Sequence, residues 1–442
     1  MFRIRIAISL TLAVLSSDMG QAQEWLEITP STGSLPAPRR NAAAIYDSQA
    51  QRMILFAGKG ASGDFNDVWQ FDLDAELWSE ITPASGPAPA PRFTPNAVYD
   101  PVGQQMIIWS GQGASFYNDV WAFDLATGTW AEYNPPNPQP NIRYGTAAVF
   151  DPLARDLVTF AGFTNLGRFD DTWRFDVDNA VWTNVTPPQG NPLERCLHSA
   201  SYDSANHRMI IYGGQQSGPL GDIWAFDLGQ NSWTELTPPN SPPGRYFAAN
   251  IYEPLNHRTV IFGGNRGSSG GMTNEVWAFN LALNTWQQLM PSGTPPQERE
   301  GAAAIYIRSQ DRMVVFGGRG ASFNLLNDVW TLNGLSEPTG IRGHVPGEAV
   351  AGFSLHQNYP NPFNPATKIS FTLPAAAQVT VKVYNLLGQE VKTLLSGFLS
   401  PGKHEAEWNG TDGSNVEVPS GIYLYRLETR YFSESGKMVL IR

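Results

Sequence analysis

The chain has 442 residues, a formal net charge of −11 and only 16% charged residues, with 42 glycines and 34 prolines. That profile suits many short strands joined by turns, and it excludes both a disordered chain and the basic footprint of a nucleic-acid binder. A single cysteine, Cys196, rules out an intrachain disulfide.

Residues 1–22 read as a signal peptide. Arg3 and Arg5 give a positive start, Ile6 to Leu15 an apolar run, and Gly20-Gln21-Ala22 a site for cleavage between Ala22 and Gln23. The run falls well short of the ~20 residues that span a bilayer, and no later segment is long enough. The mature chain is expected to be exported, without a transmembrane segment and as a monomer.

From residue 23 the sequence repeats. A tetrapeptide of the NDVW type recurs with Trp69, Trp121, Trp173, Trp224, Trp277 and Trp330, usually running on into an FDL-like strand. An apolar run ending in glycine precedes each, and a small-residue strand opened by an arginine precedes that. A second tryptophan follows at 78, 130, 182, 233 and 286. A period near 50 with about four strand signals per unit predicts β-propeller blades. The double glycines Gly213-Gly214, Gly263-Gly264 and Gly317-Gly318, with the two spaced aromatics, resemble the Kelch family. Blades one to three depart mildly, with Ala57-Gly58, Ser110-Gly111 and Ala161-Gly162. The expected fold is all-β: a six-bladed Kelch-type propeller over 23–334 and a small C-terminal β-sandwich. The sixth unit lacks its second tryptophan, but EWLEITP around Trp25 parallels LWSEITP around Trp78. The N-terminal segment is therefore expected to close blade six as its outer strand, removing two free sheet edges.

With strands a to d running outward from the axis, the a–b and c–d loops are short and share one face. The b–c and d–a loops are long and share the other, where a binding site is expected. Two residues per blade are locked in phase on that face. Arg39, Arg92, Arg143, Arg195, Arg245 and Arg299 lie seven before the strand-a aromatic; Asp67, Asp119, Asp171, Asp222, Glu275 and Asp328 lie two before the tryptophan. The arginines read either as a channel-mouth ring for a carboxylate or acidic sugar, or as partners of these acids that tie blades together.

Departures from the repeat single out further candidates. Blades six, one and two share Gly-x-Gly-Ala-Ser in their b–c loops, projecting Arg319, Lys59 and Gln112 beside Phe323, Phe65, Phe116 and Tyr117; Arg266 projects from the loop of blade five. Polar groups beside aromatics suit a glycan or protein ligand, and a shared turn with mobile tips is the plainer reading. No His, Cys and carboxylate set has zinc spacing, and the six histidines cannot assemble a galactose-oxidase-like copper site at one mouth, so no metal or cofactor is expected. An exported metal-free activity, similar to that of sialic-acid mutarotase-like Kelch proteins, would rest on His198 and Arg195, because histidine titrates near neutrality. Binding is preferred to catalysis.

Residues 335–352 have linker composition, and 353–442 alternate as half-buried strands at Ile369/Phe371/Leu373 and Val379/Val381/Val383. NYPNPFNPAT at 358–367, VYNLLGQEV at 383–391, WNGTDGSNVEVPSGIYLYRL at 408–427 and KMVLI at 437–441 resemble the type A sorting domain of the type IX secretion system. An ordinary immunoglobulin-like binding module is the alternative. The resemblance implies the secretion machinery as a partner and delivery to the medium or outer surface of a Gram-negative bacterium.

Overall fold

The computed structural model describes residues 23–336, 354–373, 377–385, 389–399, 402–413, 416–429 and 433–441. The expected leader, with Ala22 of its cleavage site, and nearly all of the linker lie outside the described residues.

Blade one is an antiparallel sheet of strand a Ala43–Asp47, b Arg52–Lys59, c Asp64–Asp72 and d Leu77–Glu80. Blades two to five repeat it from inner strands Asn96–Asp100, Ala147–Asp151, Ser199–Asp203 and Ala249–Glu253. Blade six takes strands Ala303–Ile307, Arg312–Gly320 and Leu325–Asn333 from the end of the repeat and Glu24–Glu27 from the beginning. Trp25 pairs with Leu332, so the ring is closed by the expected N-terminal strand. The inner strands touch their neighbours in cyclic order, which makes the molecule a six-bladed propeller.

The strand patterns follow from this stacking. Strand b is buried on both faces between adjacent blades, hence unbroken apolar runs such as Met53-Ile54-Leu55-Phe56, all 0% exposed. Strand d keeps its tryptophan inside and little else, Leu289 of blade five being a second buried residue. Six apolar clusters lie between neighbouring blades, each holding one such residue: Trp78, Trp130, Trp182, Trp233, Trp286 and Trp25. Truncating a buried tryptophan costs roughly 3–5 kcal/mol.

The C-terminal unit is a sandwich of two antiparallel sheets. One contains Ser354–Leu355, Thr367–Leu373 and Gly402–Trp408; the other orders Glu390–Leu399, Ala377–Tyr384, Gly421–Thr429 and Ser433–Leu440. Ile369, Phe371, Val379, Val381 and Val383 are 0% exposed in its own core, as their alternation requires. Within NYPNPFNPAT, Asn358 donates through Nδ2 to Thr367 Oγ1 at 2.9 Å and through its main-chain N–H to Tyr425 Oη at 3.1 Å. That motif is therefore a structural staple of this unit.

The chain leaves the propeller on the short-loop face. Leu335 O accepts from Gln23 and Arg258, while Ser336 donates from both N–H and Oγ to Asp311. Departure on that side leaves the long-loop face unobstructed by the linker's first residues.

Candidate functional site at the long-loop mouth

One unit of side chains recurs in every blade beneath the long loops. In blade two, Arg92 Nη1 and Nη2 donate to Asp119 Oδ1 and Oδ2 at 2.6 and 2.7 Å, Nη1 also to Ser110 O, and Nε to Ala90 O. The carboxylate takes a further bond from Trp121 Nε1 at 2.8 Å. Meanwhile the Arg92 main chain bonds to blade one, donating to Phe65 O and accepting from Gly58 N–H. Each arginine thus straddles a seam, with its main chain on one blade and its side chain in the next. The glycine is required there: Gly58 has φ +109°, and a Cβ would press against Ala42 and Arg40 O at 3.1 Å.

The six arginines are 0–1% exposed. Arg39, Arg143, Arg195 and Arg299 repeat the bidentate pairing, with Asp67, Asp171, Asp222 and Asp328. Burial pushes the Asp222 carboxyl up, but the hydrogen bond and charge of Arg195 outweigh it and hold it below the ordinary range. Blade five differs: Arg245 bonds Glu275 Oε2 alone, and Arg266 takes Oε1 at 3.2 Å. The ring of arginines is therefore not open to a ligand at the mouth. Its donors are consumed in place, which is the tie between blades that the phase-locked acids allowed.

The residue after each of these arginines forms the mouth itself. Arg40, Phe93, Tyr144, Cys196, Tyr246 and Glu300 each pair by backbone with Lys59, Gln112, Phe163, Gln215, Asn265 and Arg319 of their own blade. The side chains divide into two sectors. On blades two and three Phe93, Phe116, Tyr144 and Phe163 form an aromatic wall, with Phe116 stacked on Tyr144 at 5.6 Å and Lys59 Nζ 4.7 Å over Phe93. On blades five, six and one the buried Glu300 carboxylate accepts from Arg40 at 3.2 Å, Arg319 at 2.5 Å and Asn265 at 2.7 Å. Two guanidinium groups share one carboxylate, leaving this sector with excess positive charge. Burial lowers the Arg40 pKa and the Arg319 charge lowers it further, the signature of two cations held together.

Comparison with known proteins fits this geometry. The profile of the KLHDC2/KLHL20/DRC7 Kelch-repeats domain matches residues 11–199, 65–252 and 248–339, together more than half of the chain. The chain belongs to this Kelch-repeat family. A FlgD Ig-like domain profile matches residues 359–431. The Kelch propeller is similar to the flagellar outer-arm dynein alpha chain of Chlamydomonas reinhardtii, 25% identical over 318 residues, 66% of this chain and 7% of that protein. Human leucine-zipper-like transcriptional regulator 1 is 29% identical over 252 residues, 52% of this chain and 28% of its own length. Kelch domain-containing protein 10 of Xenopus laevis is 24% identical over 238 residues, 51% of this chain and 56% of its own length. The chain thus spans less than two thirds of each of these relatives.

The candidate residues fall at several places on the Kelch propeller. Lys59 reaches Asp64 at 3.1 Å as well as Phe93. Gln112 pairs by main chain with Phe93. Phe323 is 71% exposed, with the Arg319 guanidinium 5.0 Å from its ring. Tyr117 does not join a patch: its ring covers the Arg92 guanidinium at 4.2 Å, as Phe65 covers Arg39 and Phe169 covers Arg143. The three Gly-x-Gly-Ala-Ser loops also differ. In blades one and six strands b and c pair past the glycine bulge, whereas in blade two Gly113 packs so tightly on Pro91 O that a Cβ would lie 2.2 Å from it.

His198 is buried beside Phe160, 6% exposed. Burial, reinforced by the Arg195 charge, pushes its pKa down to about 3, so it is neutral at pH 7 and does not titrate near neutrality as a general acid or base at the mouth would. Among the described residues no group of three or more His, Cys, Asp or Glu could hold a metal ion, and no helix is long and apolar enough to cross a membrane. Sequence reasoning missed Arg40, Glu300, Asn265, Phe93, Tyr144 and Phe163. The signal was there in inverse form: the position after the phase-locked arginine is different in almost every blade.

Proposed function

We propose that this Kelch propeller is a partner-binding module that grips an acidic group of a peptide or glycan at its long-loop mouth. The observation that carries the reading is the pair Arg40 and Arg319 on the single carboxylate of Glu300, facing an aromatic wall. A ligand carboxylate would give the surplus cation a second partner in a charge-assisted bond, and the wall would take the face of a side chain or sugar ring. We also propose that residues 353–442 form a type IX sorting domain, which with the leader would deliver the propeller beyond the outer membrane. The motif NYPNPFNPAT and the separate sandwich with its own core support this.

An array of acidic and neutral peptides and glycans, probed with the mature chain, tests the binding reading. Acidic ligands should be retained, with affinity falling roughly tenfold or more in Arg40→Ala and Arg319→Ala. Ligands bound equally well by wild type and both variants would place the site elsewhere. For sorting, a chain lacking 353–442 should accumulate in the periplasm; normal surface delivery without it would refute that assignment.

A further inference from the structure

At the short-loop end of the axis lies a cavity of about 460 Å³, within the size range that takes small ligands. Six aromatic residues form its collar, one from the inner strand of each blade: Tyr46, Tyr99, Phe150, Tyr202, Tyr252 and Tyr306. Each is half-buried, and the wall residue two positions deeper is alanine in every blade except five. All of the rings but Tyr252 pack in part on the apolar clusters between blades. The surface that packing leaves exposed is the surface that lines the cavity.

The tyrosine hydroxyls are engaged at the rim. Tyr46 Oη donates to Gln51 at 2.8 Å, Tyr99 to Asp47 at 3.3 Å, Tyr252 to Asp203 at 3.1 Å and Tyr306 to Asp311 at 2.8 Å. Phe150 has no hydroxyl, so what all six blades supply is the ring. No charged side chain lines the cavity. Of its polar side chains, Ser201 and Asn250 bond the buried Thr259 hydroxyl behind the wall.

Three of those hydroxyls end on carboxylates, which puts negative charge behind the rings. Asp47 and Asp203 are also paired with Arg52 and Arg208. The Asp311 carboxylate takes only uncharged donors among the described residues, Tyr306 Oη and the N–H and Oγ of Ser336. Burial raises the Tyr306 pKa, and the charges of Glu253 and Asp311 raise it further; burial and then the charge of Asp203 do the same at Tyr252. An anion is repelled from such a collar. A primary ammonium brings three N–H donors that a carbon wall cannot meet. A quaternary ammonium has no N–H to satisfy, an apolar exterior, and the charge that aromatic rings attract.

We propose that the short-loop cavity is a binding site for a quaternary ammonium group, held within the collar of Tyr46, Tyr99, Phe150, Tyr202, Tyr252 and Tyr306. It lies at the opposite end of the axis from the charged mouth and does not depend on the function proposed there.

Choline, its carbon isostere dimethylbutanol and ethanolamine separate charge, shape and N–H donors. Titrated by calorimetry into the full chain, choline should bind saturably, with the other two at least about tenfold weaker. Crystals soaked in choline should show it inside the collar. Phe150→Leu removes a ring without orphaning a hydroxyl. It should weaken choline at least about threefold and dimethylbutanol less, a change of ratio that lost stability alone does not produce. Dimethylbutanol binding as well as choline would make the cavity merely apolar, and ethanolamine binding as well would mean that an acceptor holds the ligand. Either result overturns the proposal, as does a failure of choline to saturate, a soaked collar that holds only water, or an unchanged preference in Phe150→Leu. If that variant failed to fold, the wild-type series and the soaked crystals would still decide it.

Discussion

On the long-loop rim each acid is held by an arginine whose side chain lies in its own blade, as Arg92 holds Asp119. On the short-loop rim the acids that end strand a are mostly held by an arginine of their own blade as well, Asp47 by Arg52, Asp151 by Arg174 and Asp203 by Arg208, and three are also bonded from the following blade: Asp100 by Arg155, Asp151 by His207 at 2.8 Å and Asp203 by His257 at 3.0 Å. The first arrangement recurs in all six blades, with guanidiniums 0–1% exposed; the second varies from blade to blade, crosses a seam as an ion pair in only three blades among the described residues, through partners 20–27% exposed, and has no acid in blade six, where Ile307 stands. A rim that must close a ring of blades cannot vary, whereas one that supplements closed seams can. The long-loop rim should therefore carry most of the electrostatic contribution to stability.

The largest expected effect comes from breaking one of the buried clamps. Asp119→Ala strips the Arg92 guanidinium, 0% exposed in the native fold, of its charged partner. Removing one member of a buried ion pair costs about 3–5 kcal/mol. Urea unfolding of Asp119→Ala should show a loss of that size, and a loss below about 1 kcal/mol would mean that the clamp is incidental. Asp119→Asn, which keeps a carbonyl to accept one bond, should fall between wild type and Asp119→Ala.

The clamp also shows where sequence stops informing. Tryptophan spacing reveals blade number and closure because each period must return one indole to one seam; Trp25 was legible for that reason, although its partner Leu332 is at the other end of the repeat. The constant phase of Arg39 and Asp67 was equally legible. Whether Arg39 was free or paired was not, because the pairing spans 28 residues and depends on how strands a and c lie across a blade. Glu300 and Arg40 were hidden by the opposite property: they bond across the seam between blades six and one and have no counterpart to repeat. The shared Gly-x-Gly-Ala-Ser does not give one loop form: strands b and c pair past it in blades one and six, whereas in blade two Gly113 lies too close to Pro91 O, outside the motif, for any side chain.

Acid distinguishes histidine and carboxylate contributions by the pH range in which each is lost. His198 is held neutral in the fold, with a pKa of about 3 against about 6.5 unfolded, so between those values the unfolded chain binds the extra proton. Its contribution is complete above pH 6.5 and is lost as pH falls, at up to about 1.4 kcal/mol per pH unit. Burial pushes the Asp151 carboxyl up, but its hydrogen bond to His207 and two backbone N–H groups pull it below the ordinary value. That contribution is present above the unfolded carboxylate pKa, about 3.9, and fades only below it. Stability measured from pH 6.5 to 4.5 should fall more steeply in wild type than in His198→Ala. Parallel curves would show that His198 is protonated in the folded state.

The smallest effect should come from the short-loop rim. His207→Gln removes the imidazole from Asp151, but Asp151 keeps Arg174 and the N–H groups of Leu153 and Ala154, so the carboxylate is not left unmet. The His207 side chain is 27% exposed, and water can replace part of what it gave. A loss of about 1 kcal/mol or less is expected at pH 7, within the range of partly exposed ion pairs. The informative comparison is the ratio with Asp119→Ala in the same urea series. If His207→Gln costs as much, the seams between blades are held from both faces alike, and the variation on the short-loop rim cannot be explained by weaker structural demand.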